Sequence, residues 1–336
     1  MWRLANASRC LAPGSAASAL LLTAHSREKQ SPPQRFPYGL CTGRHLLPSP
    51  PIQCSESTTL SVITWNILAA PYTKYNWKFH RAGATMDCEL QEQTRQRYSM
   101  AGCHLLERSV DIVLLQECEA AFFSPDMNSE ASKINRHYHV LACHIGENPG
   151  TAVLVKRNGQ ANLMNPYQKP MCVGGGDFPA YISTIVQLMV GIHPVTLVSV
   201  HVQYWPVATG KAIHQLKLLE DALVDQRCLI VGGDFNAGTT PPNEHLAELE
   251  ANTLFGSLKR AKLVPGTMTG LVGDFSAKVN IDHIYTSQQL EIASAHALAV
   301  PCEGGPYSME GSGPAEVVYA SDHVPILAHI KLGSDL

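Results

Sequence analysis

The sequence predicts an α/β protein in which two β-sheets pack face to face and helices cover the outside. Three observations predict it. Apolar, β-branched runs of strand length recur through the chain. Only two long segments carry helical periodicity, too few to cover a doubly wound parallel sheet. The chain has 336 residues, 45% hydrophobic and 16% charged, which suffices for one large core.

Residues 1–55 do not read as part of that fold. They are rich in Ala, Ser, Leu and Arg and carry six basic residues (Arg3, Arg9, Arg27, Lys29, Arg35, Arg44) against one acid, Glu28. This composition predicts a mitochondrial transit peptide. The short apolar stretch SAASALLLTA behind Arg3 and Arg9 leaves a secretory signal as an alternative, and a disordered segment of a cytoplasmic protein as another. No apolar run is long enough to span a bilayer. The folded domain is expected over residues 56–336.

The elements follow in order. LSVITWN (60–66) reads as a strand. CELQEQTRQRYSMAGCHLLER (88–108) reads as a helix with Tyr98, Ala101 and Leu105 on one face. VDIVLLQE (110–117) is a buried strand, and TAVLVK (151–156), YISTIVQLMV (181–190) and VTLVSVHV (195–202) are further strands. GKAIHQLKLLEDALV (210–224) is a second helix, with Ile213, Leu216, Leu219 and Leu223 in line. CLIVGGDFN (228–236), VNIDHIYT (279–286) and VPILAHIKL (324–332) complete the set, with Asp282 inside its strand. There is no internal repeat.

Charge and cysteine content narrow the function. Of 25 basic and 28 acidic residues, 19 and 27 fall in 56–336, so the main body is about −8. It has no surplus for the broad basic face that grips long nucleic acid irrespective of sequence. A small anionic substrate held through a metal fits better. Ten cysteines include no Cys-x-x-Cys pair, which argues against a zinc knuckle or a dithiol motif. Reduced thiols in an intracellular compartment are the simplest expectation.

Polar groups sit where the strands end. Asn66, Glu117 and His201 each close an apolar run, Asp234 and Asn236 close CLIVGGDFN, and Asp322 and His323 precede the last strand. Singly, each has a plain structural reading: an amide caps a turn, a carboxylate solvates a loop, a histidine packs. Together, a series of carboxylates at strand ends suggests one shared cation, because clustered acids are costly unless paired or metal-bound. Other motifs are weaker. His137 and His139 in HYH share a strand face but lack a third zinc ligand. VGGGD (173–177) reads as a flexible loop, and ATGKA (208–212) lacks the flanking residues of a phosphate loop.

TWN, LQE, SVH, GDFN, IDHI and SDH occur in that order over about residues 58–333. This series resembles the endonuclease/exonuclease/phosphatase superfamily. The resemblance implies a DNase I-like, four-layer αββα sandwich of two mostly antiparallel sheets. NILAAPY, the Arg95/Arg97–Tyr98 helix and the Pro206 spacing look like the deadenylase branch, with nocturnin, the Angel proteins and the 2′-phosphodiesterases. Tyr204 stands where that branch usually has Trp, so the substrate loop is expected to differ.

The resemblance also implies roles. Glu117 is the principal Mg²⁺ ligand, with Asn66 and Asp322 completing the metal site and Mn²⁺ able to substitute. Asp234 activates the attacking water, His201 stabilises developing charge, and His323 handles the phosphate or a proton while Asp282 orients it. Asn66, Asn236 and Tyr204 contact the substrate. The implied activity is Mg²⁺-dependent phosphodiester hydrolysis at an RNA 3′ end or on a nucleotide, with no obligate protein partner. Alternatives are a phosphatase or phospholipase acting on inositol phosphates or sphingomyelin, and a non-catalytic binding module, which the six intact motifs disfavour.

Deleting residues 1–50 is expected to leave the melting temperature and activity nearly unchanged and to alter location in cells. A large loss of stability in the truncated protein would show that the segment packs on the domain.

Overall fold

The computed structural model describes residues 58–75, 91–145, 148–165, 168–174, 181–239, 244–264, 267–272, 277–302, 305–307 and 320–333. The leader lies outside them. In chain order the strands are β1 (Thr58–Asn66), β2 (Ile112–Cys118), β3 (Tyr138–Ile145), β4 (Asn148–Lys156), β5 (Ala161–Leu163), β6 (Met171–Gly174), β7 (Ile182–Val190), β8 (His193–His201) and β9 (Leu229–Asp234). After them come β10 (Lys259–Arg260), β11 (Gly270–Val272), β12 (Ala277–Val279), β13 (Asp282–Thr286), β14 (Leu290–Ala297), β15 (Val300–Cys302), β16 (Gly305–Tyr307) and β17 (Ile326–Leu332). The helices are α1 (Gln91–Arg108), α2 (Ala131–His137), α3 (Trp205–Leu223), α4 (Leu246–Glu250) and α5 (Thr253–Ser257).

Two sheets carry the fold. The first runs β14-β17-β1-β2-β4-β3, and the second runs β10-β13-β9-β8-β7-β5 with β6 also on β7. The pairings are antiparallel except β1 with β2 and β8 with β9. Each parallel pair is joined by a long helix, α1 or α3, because a parallel crossover cannot be made with a tight turn. A parallel pair places both carboxyl ends at the same edge. Asn66 therefore stands beside Gln116, and His201 beside Asp234.

Side-chain alternation sorts the strands into layers. Leu60 and Val62, Ile112 and Leu114, Val195 and Leu197, Ile230 and Ile284 point between the sheets and form one buried cluster. Ile63 and Trp65, with Val113 and Leu115, face outward against Tyr98, Ala101 and Leu105 of α1. Val198, Val200 and Val231 face outward against Ala212, Leu216, Leu219 and Leu223 of α3. Helix, sheet, sheet and helix thus make the four layers expected. Close contacts explain the glycines of β9, with the facing sheet at Gly232 and with the neighbouring strand β8 at Gly233. A Cβ on Gly232 would sit 2.7 Å from Leu114 Cδ1 across the interface, and one on Gly233 would sit 1.9 Å from the Val200 carbonyl oxygen.

Several expectations change. Cys143 and Cys172 form a disulfide, so the reduced-thiol expectation fails for this pair. Motif spacing could not reveal it, because the partners are 29 residues apart on strands of opposite sheets. Ile213 is 54% exposed, and Ala212 takes its place in the buried stripe of α3. The spacing 212, 216, 219, 223 holds one face of a 3.6-residue helix, and Ile213 lies about 100° away from Ala212. Asp282 heads β13 rather than lying within a longer strand. His137 and His139 do not share a strand face: His137 ends α2 and lies 3.0 Å from Ser109 Oγ, whereas His139 lies on β3. Val173 and Gly174 end β6 instead of a loop, and residues 175–177 of that motif lie outside the described residues. ATGKA falls within α3.

The disulfide closes a loop between the edges of both sheets. Replacing Cys143 and Cys172 by Ser, or adding dithiothreitol, is expected to lower stability by about 3–4 kcal/mol from loop-closure entropy alone. Denaturant unfolding of oxidised and reduced protein checks this. Identical midpoints would show that the bridge adds no stability.

Candidate functional site

The inward-facing rows continue past the apolar core to the strand ends, where they turn polar. On β1 the row Leu60, Val62, Thr64 ends in Asn66. On β8 the row Val195, Leu197, Ser199 ends in His201. On β9 Ile230 and Gly232 lead to Asp234, and on β13 Ile284 shares a face with Asp282. Asp282 pairs with Asp234 and His201 with Asp234, so three of these ends lie in register. Glu117 breaks the rule. Alternation would send it outward with Leu115. A bulge in the β2–β4 pairing between Leu115 and Cys118, with Glu117 itself at φ 50°, brings it back to the site.

The resulting contacts join both sheets. Asn66 Nδ2 donates to Glu117 Oε1 and to Asp234 Oδ2, each at 3.0 Å. Asn66 Oδ1 accepts from the Leu68 amide at 3.0 Å, which fixes the carboxamide's orientation. Glu117 Oε2 accepts from the Ala69 amide at 3.1 Å. His201 Nε2 lies 3.8 Å from Glu117 Oε1 and 3.7 Å from Asp234 Oδ2, and its ring meets that of Tyr181 at 4.8 Å. His323 is held from both sides. Its Nδ1 lies 2.9 Å from Asp282 Oδ2, and its Nε2 lies 3.6 Å from Asp234 Oδ2 and 3.9 Å from Asp322 Oδ1. The Asn236 amide donates to Asp234 Oδ1 at 2.8 Å, and Asn236 Nδ2 donates to the Val202 carbonyl at 2.8 Å.

Two sets of ligand atoms, Glu117–His201–Asp234 and Asp234–Asp282–His323, are each mutually within 4.8 Å. They share Asp234. Burial, then the negative charge of Asp322, pushes the Glu117 carboxyl up to about 8, against the lowering effect of the Asn66 hydrogen bond. Burial also raises Asp234, Asp282 and Asp322. Burial pulls His323 down, but Asp282 and Asp234 outweigh it and hold the imidazole well above its ordinary value. A cluster of buried carboxylates that resist ionisation is a fitting donor set for a divalent cation, since hard oxygens suit hard metals.

Of the residues singled out in the sequence, the structure gathers Asn66, Glu117, His201, Asp234, Asn236, Asp282, Asp322 and His323. Tyr204 is the exception. It precedes the first turn of α3, half-buried, and makes no hydrogen bond to the cluster among the described residues. Asn66 presents its nitrogen, not its oxygen, to the carboxylates. Several supporting side chains escaped sequence reasoning. Gln116 Nε2 donates to Ser199 Oγ at 2.9 Å and so ties the two sheets directly beneath the site. Ser321 Oγ donates to the Asn66 carbonyl at 2.7 Å and accepts from the His323 amide. Arg97, fully buried, donates to the Ile67 and Ala320 carbonyls. Thr269 Oγ1 accepts from the Asp282 amide at 3.0 Å. A buried Arg on an amphipathic helix and a Gln inside LQE were the available signals.

The comparisons with known proteins agree with this geometry. The profile of the Endonuclease/Exonuclease/phosphatase family matches residues 63–323. Comparison with curated proteins finds no match. Among solved structures, ANGEL2, described as a 2′,3′-cyclic phosphatase, in complex with adenosine-2′,3′-vanadate, is 16% identical with a TM-score of 0.60, covering 82% of this chain and 96% of that one. D. rerio TDP2 complexed with single strand DNA product is 13% identical with a TM-score of 0.55, covering 81% and 99%. A family protein from Bacteroides thetaiotaomicron is 15% identical with a TM-score of 0.55, covering 83% and 99%. These likenesses are of fold. The profile match spans most of the chain and includes every strand-end group described above, and the chain belongs to the Endonuclease/Exonuclease/phosphatase family of metal-dependent phosphoesterases and nucleases.

Proposed function

We infer that this chain is a Mg²⁺-dependent phosphodiesterase acting on an RNA 3′ end or a nucleotide. The observation that carries the reading is the shared Asp234, which belongs both to the carboxylate group around Asn66 and to the Asp282–His323 pair. One half suits a cation and the other suits proton and charge handling at the same reacting centre.

Glu117 would hold Mg²⁺, with Asp322 completing the site. When bound, the cation supplies positive charge to the phosphoryl oxygens and offsets the charge that develops on them. The chain's own groups do the rest. Asn66 keeps Glu117 and Asp234 together by donating to both. Asp234, with Oδ1 fixed by the Asn236 amide, accepts the proton of the attacking water. His323 presents Nε2 toward that water and the phosphoryl group while Asp282 fixes Nδ1. His201, between Glu117 and Asp234, donates to developing negative charge. Likeness to a cyclic phosphatase and to a protein bound to a DNA product supports a nucleotide or nucleic-acid substrate. The leader composition supports the further proposal of a mitochondrial location.

Screening the protein with Mg²⁺ against oligoadenylate, 2′,5′-oligoadenylate, NADPH and inositol phosphates tests the reading. Hydrolysis of the nucleotide substrates is expected. Turnover of inositol phosphates alone would overturn it.

Glu117→Gln should abolish that hydrolysis with the fold intact by circular dichroism. The same group makes stability depend on pH. Its folded pKa of about 8 lies above its ordinary 4.5. The proton-linked stability is therefore complete below about pH 4.5 and is lost as pH rises towards 8. The raised His323 acts in the same direction above its ordinary value. Metal-free protein is expected to melt lower at pH 8.5 than at pH 5.5, and millimolar Mg²⁺ should recover more at pH 8.5. Equal melting with and without Mg²⁺ at both pH values would remove Glu117 from a metal site.

Asp282→Asn should lower kcat by about 10²- to 10⁴-fold, the range of general acid–base groups. It removes the charge that keeps the His323 imidazolium protonated, so the alkaline limb of the pH profile should move down. In a His323→Ala background the same change should cost little more. A double-mutant cycle on kcat/KM at several pH values reads this, and full additivity would show that the two side chains act independently.

A further inference from the structure

Two residues beyond Glu117 stands a second carboxylate, Glu119, that the mechanism does not use. Glu119 leaves β2 and occupies the N-cap of the short 3₁₀ helix Ala120–Phe123. A polar side chain at that position usually caps its own helix. The Glu119 carboxylate does not cap those amides. It reaches back to the chain that follows β1. Its Oε2 accepts from the Ala70 amide at 2.8 Å and from the Tyr98 hydroxyl of α1.

The segment after β1 is thereby fastened residue by residue. Arg97 donates to the Ile67 carbonyl at 3.2 Å, and the Leu68 amide donates to Asn66 Oδ1 at 3.0 Å. The Ala69 amide goes to Glu117 Oε2 at 3.1 Å, and the next amide, that of Ala70, goes to Glu119. Leu68 has a φ of 54°, so this path costs backbone energy and persists only where its surroundings hold it. The Tyr98 hydroxyl is itself fixed, because its ring is buried edge-on against Phe122 with centroids 5.5 Å apart. Burial, and then the Glu119 charge, raise the phenol well above its ordinary value, so it stays a donor.

The fastening bears on Glu117. Its Oε1 is turned to the centre, 3.0 Å from Asn66 Nδ2 and 3.8 Å from His201 Nε2, while its Oε2 is turned to the Ala69 amide. With a φ of 50°, Glu117 also sits on costly backbone, and alternation would return it to the helix layer. The Ala69 amide helps to keep it in place, and Ala69 is kept in place by its neighbour Ala70. Resting on the reading of Glu117 as a metal ligand, we propose that Glu119 is a positioning residue for the cation site. Together with Tyr98 it anchors Ala70, and through the adjoining Ala69 amide it sets the Glu117 carboxylate for the cation. A single oxygen, Oε2, accepts both bonds, so the role needs an acceptor at that place and not a charge.

Calorimetric titration of the metal-free full chain with Mg²⁺, at one pH and well below the melting midpoint, tests this without substrate or turnover. Glu119→Ala is expected to weaken Mg²⁺ binding about tenfold, the lower end of the range for groups that orient a metal ligand. Glu119→Gln keeps an oxygen in the same place and should keep the wild-type affinity. Glu119→Ala leaves the Tyr98 hydroxyl buried without its acceptor, which destabilises the protein on its own account. Tyr98→Phe combined with Glu119→Ala removes that cost and should show the same weakening. Wild-type affinity in both alanine variants would overturn the proposal. So would a loss in Glu119→Gln as large as in Glu119→Ala, which would assign the effect to charge. Failure of the metal reading looks different: the wild type would take up no Mg²⁺, or Glu117→Gln would bind it as the wild type does, and this proposal would fall with it.

Discussion

The amide nitrogen of Asn66 holds the site together. It donates to a carboxylate on its own sheet, Glu117, and to a carboxylate on the facing sheet, Asp234, at 3.0 Å each. Two buried acids this close repel one another, and among the described residues neither has a basic side chain at salt-bridge distance other than a histidine. A neutral donor with two N–H groups is the smallest device that serves both without adding a competing positive charge. A Lys or Arg here would neutralise the acids and exclude a cation. An Asp here would add a third charge. The carboxamide leaves the pair electronegative and fixed, which is what a divalent ion requires.

That contact depends on how the sheets are built. Asn66 reaches Asp234 only because the sheets come close beneath the site, and they come close because β9 has no side chain at Gly232. Gln116 and Ser199 pin the separation one layer down, with Ser199 Oγ also donating to the Leu115 carbonyl at 2.7 Å. The two parallel pairs matter equally. In an all-antiparallel arrangement of the same strands, Asn66 and the end of β2 would lie at opposite edges. The helices α1 and α3 are thus more than outer cover. They are the crossovers that let adjacent strands run the same way and end together.

This explains what could be read from the sequence and what could not. The inward row of each strand keeps period two right up to its last residue, so Asn66, His201 and Asp234 could be placed on the buried face from their own segments. Glu117 could not. By alternation it faces the helix layer, and it joined the site only as one of a series of strand-end carboxylates and through the resemblance of LQE to the family motif. The bulge and left-handed backbone that redirect it have no local marker, because neither Gly nor Asn occupies the position. The disulfide was invisible for a related reason. Cys143 and Cys172 meet through the stacking of two sheet edges, a tertiary fact that spacing does not encode. Ile213 shows the reverse limit: four apolar residues at permitted spacings defined a face, but a small residue, Ala212, lay nearer its centre.

The site also concentrates the strain of the fold. Among the described residues, five other than glycine have positive φ, and three of them, Leu68, Glu117 and Asn236, stand at or just beyond the ends of β1, β2 and β9. Such conformations cost about 1–3 kcal/mol each and persist where the surroundings hold them. The buried carboxylates add an electrostatic cost, shown by their raised pKa values. Both costs fall on strand ends, while the apolar rows that stabilise the sandwich lie a few residues deeper in the same strands. A chain optimised for stability alone would relax Glu117 outward and replace Asp234 by an apolar residue continuing the Ile230 row. Instead the inter-sheet core offsets a set of charges that the folded protein by itself does not favour, and which become favourable when a cation is present.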